Sequence, residues 1–228
     1  REAVDFAMNN FCPRVGPPKG VVFAHEMGLG KTLSAVATIA EMATRRGKVF
    51  PCVLACPLSM MEHWKKTFND YDRFHGFAEI MHQDHKAKVP FYKAQVWIMT
   101  YAGLETKYSG LVLKHCKSFV VDEASKLKNP KAKLTLMMKK LAKICRYRLL
   151  LTATPLENSP MELHELMNVA EPGWGGSQNR FKCNYSRQLV AGTRDDASAQ
   201  SQLFARRAAA QVYRLLKPFL LRKLNPRS

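Results

Sequence analysis

The chain has 228 residues, 46% of them hydrophobic, with 36 Lys plus Arg against 18 Asp plus Glu and a formal net charge of +18. That length and apolar content suit a single α/β domain with a substantial core, and the basic excess favours a polyanionic partner. No run of about 18 uncharged apolar residues occurs, so no membrane span is predicted, and neither end has the charged, apolar, small-residue order of a signal peptide.

Residues 1–10 read as an amphipathic segment that starts in mid-helix. A short apolar run at 21–24 then leads into Glu26-Met27-Gly28-Leu29-Gly30-Lys31-Thr32 and a helix over about 31–46. Gly28 and Gly30 permit the backbone angles of a tight loop and let main-chain N–H groups, that of Leu29 included, approach an anion. Lys31 supplies a point charge for the β and γ phosphates of ATP, the Thr32 hydroxyl is placed to ligate Mg²⁺, and the helix adds its positive end. The strict phosphate-loop pattern asks for Gly five residues before Gly30, and this chain has His25 there. A second motif is therefore needed.

It follows downstream, where a buried strand at 118–121 runs into Asp122-Glu123. In phosphoryl-transfer sites a strand-end aspartate holds Mg²⁺ and a neighbouring glutamate positions or deprotonates the attacking water. Alone, the pair also reads as an exposed acidic cap on the next helix; after a phosphate loop it predicts an ATPase. Lys31, Asp122 and Glu123 are the candidate catalytic residues, with Thr32 and Asp122 as the metal ligands.

Further apolar runs at 52–55, 96–99, 119–121 and 149–151 alternate with helical patterns at 60–68, 131–144 and 160–169. This alternation predicts an α/β fold with a parallel sheet covered on both faces, and ligands bound beyond the carboxyl ends of its strands. Thr152 and Thr154, after the last run, either sense the γ phosphate and relay its presence or simply cap the strand end. The glycine-rich, polar stretch 171–201 reads as an insertion or protrusion rather than core, and a helix over 202–216 ends before Pro218. Residues 1–170 are thus expected to form the ATP-binding lobe, and 171–228 a basic helical protrusion.

The six cysteines show no Cys-x-x-Cys pair, which suits a reducing compartment and small core residues. A zinc site from Cys52, Cys56, His82 and His85 is disfavoured because both cysteines lie in a strand pattern. His63, His75, His115 and His164 are isolated and read as ordinary polar residues. The basic excess is concentrated, with 11 basic and 2 acidic residues over 176–228 and seven basic residues with no acid over 131–148. On 131–144 lysines alternate with Leu134, Met137, Met138, Leu141 and Ile144, so the bland reading there is a solvated helix face.

Taken in order, the motifs resemble the N-terminal RecA-like lobe of the Swi/Snf family of DNA-dependent ATPases, within the superfamily-two helicase-like motors. The resemblance covers almost the whole chain. It rests on residues 26–32; on Leu54-Ala55-Cys56-Pro57-Leu58-Ser59 with Trp64; on Ile98-Met99-Thr100-Tyr101; on residues 122–129; on residues 151–158; and on Pro218-Phe219-Leu220-Leu221-Arg222-Lys223. It implies a three-layer RecA-like phosphate-loop NTPase lobe with a C-terminal helical protrusion, using ATP and Mg²⁺. It also implies nucleic-acid contacts at Ser59, Thr100, Lys126, Lys128 and Asn158, double-stranded DNA and nucleosomes as partners, and a nuclear role in chromatin remodelling or DNA repair. An adenine-binding Gln is expected just upstream of residue 1 and a second RecA-like lobe after the last residue, so the lobe alone is expected to be nearly inactive.

The chain departs from the family pattern at His25 (usually Asp), Ser125 (His), Ala153 (Gly) and Glu157 (Gln). Of these, Ser125 bears on coupling between nucleotide state and the motif at 151–158, more than on binding. An Asp-Glu-box RNA helicase and a non-catalytic binding module with a decayed ATPase site are the alternative readings. The Met-Gly-Leu-Gly loop and the Lys-Leu-Lys-Asn extension favour the Swi/Snf branch over the first.

Overall fold

The computed structural model describes residues 1–14, 16–17, 19–26, 28–46, 49–71, 78–81, 94–154 and 159–224. Its strands are β1 (Val21–Phe23), β2 (Cys52–Cys56), β3 (Ala78–Ile80), β4 (Val96–Thr100), β5 (Ser118–Val121), β6 (Tyr147–Leu151) and β7 (Leu220–Leu221). They join in one sheet in the order β3-β4-β2-β5-β6-β1-β7, every neighbouring pair parallel. Helices α1 (Glu2–Phe11), α2 (Lys31–Arg46) and α3 (Met61–Asp70) cover one face. The other carries α4 (Tyr101–Glu105), α5 (Ser109–His115), α6 (Lys133–Ile144) and α7 (Pro160–Ala170), followed by α8 (Gln178–Phe181), α9 (Arg187–Gly192) and α10 (Ala199–Leu216).

The strands read as continuous apolar runs because both faces are covered, yet period two still sorts their side chains. Val53, Ala55, Phe119, Val121 and Leu150 enter the core under α4 to α7. Their neighbours Leu54, Cys56, Val120, Leu149 and Leu151 enter the core under α1 to α3. The three-layer α/β architecture is as the sequence predicts.

Several details differ from expectation. The short elements β3, β7, α4 and α5 carry too few residues for a readable period; β3 and β7 become strands only through their neighbours β4 and β1. Ile144, read with the apolar face of its helix, is 51% exposed. The stretch 171–201 is not simply an insertion outside the core, because Trp174 and Phe181 are buried, pack with tilted rings at 5.5 Å and join the α4–α7 core. Two large aromatic rings next to the apolar face of α7 bury too much area to be left in water. Cys52 and Cys56 lie fully inside β2, while His75, His82 and His85 are outside the described residues.

One buried charge ties the bottom of the sheet together. Arg148 of β6 donates to the carbonyls of Ala170 (2.6 Å) and Cys145 (3.0 Å), at the ends of α7 and α6, and to Glu171 Oε2 (2.9 Å). The same Glu171 oxygen accepts the Gly20 N–H at 3.1 Å. Gly20 packs so closely that a Cβ there would fall 1.8 Å from the Ala170 carbonyl oxygen, so the approach of β1 to the end of α7 requires glycine.

Candidate functional site

The residues singled out by their chemistry gather at the carboxyl edge of the sheet. β1 pairs with β6 and β6 with β5, so the loop after β1, Asp122-Glu123 after β5 and Thr152 after β6 lie side by side. In the loop, Gly28 and Gly30 have φ of +79° and +72°, and no atom lies within 4 Å of where a Cβ would stand on either. The glycines therefore serve the backbone turn and leave open space above it. α2 begins at Lys31, directing its unpaired N–H groups to that space.

Lys31 Nζ donates to the carbonyls of His25 (2.7 Å) and Glu26 (3.1 Å), folding the amine back over its own loop. Burial lowers its pKa, while the Glu123 and Asp122 carboxylates oppose that shift, which puts one cation and two anions within electrostatic reach. Beside the loop opens a cavity of about 510 Å³ lined by Gly28, Gly30, Lys31, Thr32 and, from across it, His63, Thr67, Asp70 and Tyr71. His63, read as an ordinary polar residue, lines this cavity, whereas Thr67, Asp70 and Tyr71 escaped the sequence reading. Their only signal was the His63, Thr67, Tyr71 spacing, which sets one helix edge beside the loop.

Asp122 is 7% exposed and held from several sides. Its Oδ2 accepts the Trp64 indole N–H at 2.8 Å, its Oδ1 accepts the Glu123 N–H at 3.0 Å, and its carbonyl accepts the Tyr101 hydroxyl. One donor on each carboxylate oxygen leaves further lone pairs free. With the half-buried Thr32 hydroxyl they would offer the sparse, hard-oxygen donors that suit Mg²⁺ held jointly with substrate phosphates. Glu123 sits at φ 49°, ψ 51°, the left-handed region that residues other than glycine rarely occupy. Such strain is typical of sites where the chain is forced to aim a functional group.

His25, the departure in the loop, is fully buried and stacks on Phe23 at 5.4 Å, and among the described residues neither ring nitrogen makes a hydrogen bond of good geometry. Burial, reinforced by Lys223 and Lys31, lowers its pKa from 6.5 to about 4. Lys223 is held by Glu2 at 2.8 Å, and its carbonyl accepts the Glu26 N–H at 3.1 Å, so the chain after β7 braces the glycine loop.

The other predicted residues fall as follows. Thr152 is buried and its Oγ1 accepts the Thr154 N–H at 3.2 Å, which is the strand-end capping contact; Thr154 is exposed. Ser59 is exposed in the 3-10 turn Leu58–Met60 after β2. Thr100, opposite Cys56 in the register of β4 and β2, caps α4 by accepting the Gly103 N–H at 3.1 Å. Lys126 is exposed after β5, whereas Lys128 is half-buried 3.7 Å from Glu162. Asn158 and Glu157 lie outside the described residues. These polar candidates follow β2, β4 and β5, so they share the carboxyl edge with the phosphate loop but occupy its other half. His164, read as an ordinary polar residue, is buried, with Nε2 3.0 Å from the Gly176 carbonyl, and helps anchor the stretch after α7.

A parallel sheet with a glycine loop opening a helix after one strand and an Asp-Glu pair two strands away defines the RecA-like class of domains. The model of the SNF2-related domain matches residues 6–227, and the chain belongs to that family of Swi/Snf-type ATPases. It is 30% identical over 213 residues to the TATA-binding protein-associated factor BTAF1 of Arabidopsis thaliana, covering 89% of this chain and 10% of the relative. It is 29% identical over 224 residues to the DNA repair and recombination protein RAD54B of Gallus gallus, covering 92% and 24%. The SWI2/SNF2 ATPase core of Sulfolobus solfataricus, solved in complex with double-stranded DNA, superposes with a TM-score of 0.75 at 28% identity, covering 96% of this chain and 42% of that one. The chain thus spans a quarter or less of these two curated relatives.

Proposed function

We propose that this chain is the ATP-binding lobe of a DNA-dependent ATPase that translocates along double-stranded DNA in chromatin remodelling or DNA repair. In this reading residues 1–170 form the lobe, and 171–228 a basic helical protrusion that packs Trp174, Phe181 and β7 onto that lobe and starts the connection to a second RecA-like lobe. The N–H groups of Gly28, Leu29, Gly30 and Lys31 cradle the phosphates, and the Lys31 amine exchanges the His25 and Glu26 carbonyls for β and γ oxygens. Thr32 and Asp122 are the residues that hold Mg²⁺, which when bound offsets phosphate charge. Glu123 takes the proton of the attacking water, and Thr152 and Thr154 register the γ phosphate. Ser59, Thr100, Lys126, Lys128 and Asn158 are the proposed nucleic-acid contacts.

The observation that carries this reading is the meeting of the open Gly28–Gly30 cradle, Lys31 and Asp122-Glu123 at one sheet edge, with the Lys31 amine under the influence of both carboxylates. A formal charge of +18 favours a phosphate backbone, and the related Sulfolobus core was solved on double-stranded DNA. Nucleosomes as a partner and a nuclear location follow from the same reading. Motors of this kind complete their site with arginines from a second lobe, so this lobe alone hydrolyses ATP poorly.

The test is the ATPase rate of the full-length protein with and without duplex DNA or RNA, across a salt series, with Lys31→Ala as the blank and Glu123→Gln as the catalytic variant. Duplex DNA is expected to stimulate turnover strongly, the effect should fade with salt, and Glu123→Gln should cost on the order of 10²-fold or more. Preferential stimulation by RNA would point to the RNA-helicase reading. Turnover that Glu123→Gln leaves intact would refute the assignment of the base.

A further inference from the structure

Asp122 and Trp64 are 58 positions apart in the chain, yet the Trp64 indole N–H lies 2.8 Å from Asp122 Oδ2. Trp64 is fully buried in the middle of the α3 stripe Met61, Trp64, Phe68, and its ring packs 6.2 Å from Phe68. A ring gripped on all sides holds its N–H in a fixed direction. An indole N–H is a donor only, with no alternative role as acceptor. The second carboxylate oxygen is taken by the Glu123 N–H, and the Asp122 backbone is fixed by its own N–H to the Ala55 carbonyl (2.9 Å) and by the Tyr101 hydroxyl on its carbonyl.

We infer that Trp64 is a positioning residue for Mg²⁺: its indole N–H fixes the rotation of the Asp122 carboxylate so that the remaining lone pairs face the phosphate loop. The inference rests on the ATP-binding reading above. Without the indole donor the carboxylate is free to turn about its Cβ–Cγ bond, with the Glu123 N–H as its one remaining donor among the described residues, and a buried acceptor loses a partner. Partners one shell out from a metal ligand commonly change metal affinity by about 10–100-fold when removed. Trp64 also makes α3 a mechanical link, because the same helix begins just after Ser59 and lines the nucleotide cavity with His63 and Thr67.

The test compares wild-type full-length protein with Trp64→Phe and with a variant carrying β-(3-benzothienyl)alanine at position 64, which keeps the shape of the indole and replaces its N–H by sulfur. Binding of a fluorescent ATP analogue is measured without Mg²⁺ and along a Mg²⁺ titration, so the readout is affinity rather than turnover. The expected result is unchanged affinity without Mg²⁺ and a Mg²⁺ midpoint raised about tenfold or more in both variants. A benzothienyl variant whose midpoint stays within about twofold of a wild type that does respond to Mg²⁺ would overturn the role of Trp64, as would equal loss of affinity with and without Mg²⁺. A wild-type protein that binds no nucleotide with Mg²⁺ would instead remove the ATP-binding reading, and this inference with it.

Discussion

Acidification is expected to weaken this fold through His25. The ring is fully buried against Phe23, and burial, with Lys223 and Lys31 adding to it, lowers its pKa from 6.5 to about 4. A histidine held neutral in the fold binds its proton more readily in the unfolded chain. Its contribution is therefore fully present above pH 6.5 and is lost as pH falls from 6.5 toward 4. Integrating that difference from neutral pH to pH 4.5 gives a loss of about 2.5 kcal/mol, or roughly 5–10 °C in Tm for a domain of this size. His25→Phe keeps a flat ring on Phe23 and cannot titrate. Thermal unfolding by circular dichroism from pH 7.5 to 4.5 should show wild type losing more stability than His25→Phe by that margin. If the two lose stability in parallel, within about 2 °C, the burial argument is wrong.

Two further outcomes are expected from the same structure. Arg148→Met strips charge-assisted hydrogen bonds from the carbonyls of Ala170 and Cys145 and from Glu171, and should destabilise by about 3 kcal/mol, lowering Tm by roughly 6–12 °C. Glu171 is 26% exposed and regains water when its partner goes, so the figure lies at the low end for a broken buried pair; a Tm shift under about 2 °C in differential scanning calorimetry would contradict it. Glu123→Gly relieves the left-handed backbone at φ 49° and should raise stability by up to about 1 kcal/mol while abolishing turnover. Glu123→Gln keeps the strain and should leave Tm unchanged, so equal denaturation midpoints for the two variants would exclude the strain.

How far the site was legible depended on how local each part is. Gly28, Gly30, Lys31 and Thr32 form one short stretch whose spacing states its own conformation, and the structure gives them the turn and helix start that spacing implies. Asp122-Glu123 was legible as a strand end, but the left-handed backbone of Glu123 was not, because Glu carries no local signal for it. The polar reading of 171–201 failed at Trp174 and Phe181, whose burial depends on α7 and α10 lying beside them. Thr152 makes the strand-end contact that was one of its two readings, whereas the cap that Thr100 places on its own turn is a contact that sequence allows but does not single out.

Order along the chain was enough to read the α/β alternation, the glycine loop after the first strand, the acidic pair and the family, because each is a short-range pattern of residue types. The tertiary structure decided what lies between those patterns: that Trp64 reaches Asp122, that β7 returns beside β1 and brings Lys223 to His25, and that Arg148 links α6, α7 and β1. The physical reason is that a directed hydrogen bond or a desolvated charge depends on positions in space to within an ångström. Those positions are set by strand order and helix packing, which no local run of residues encodes.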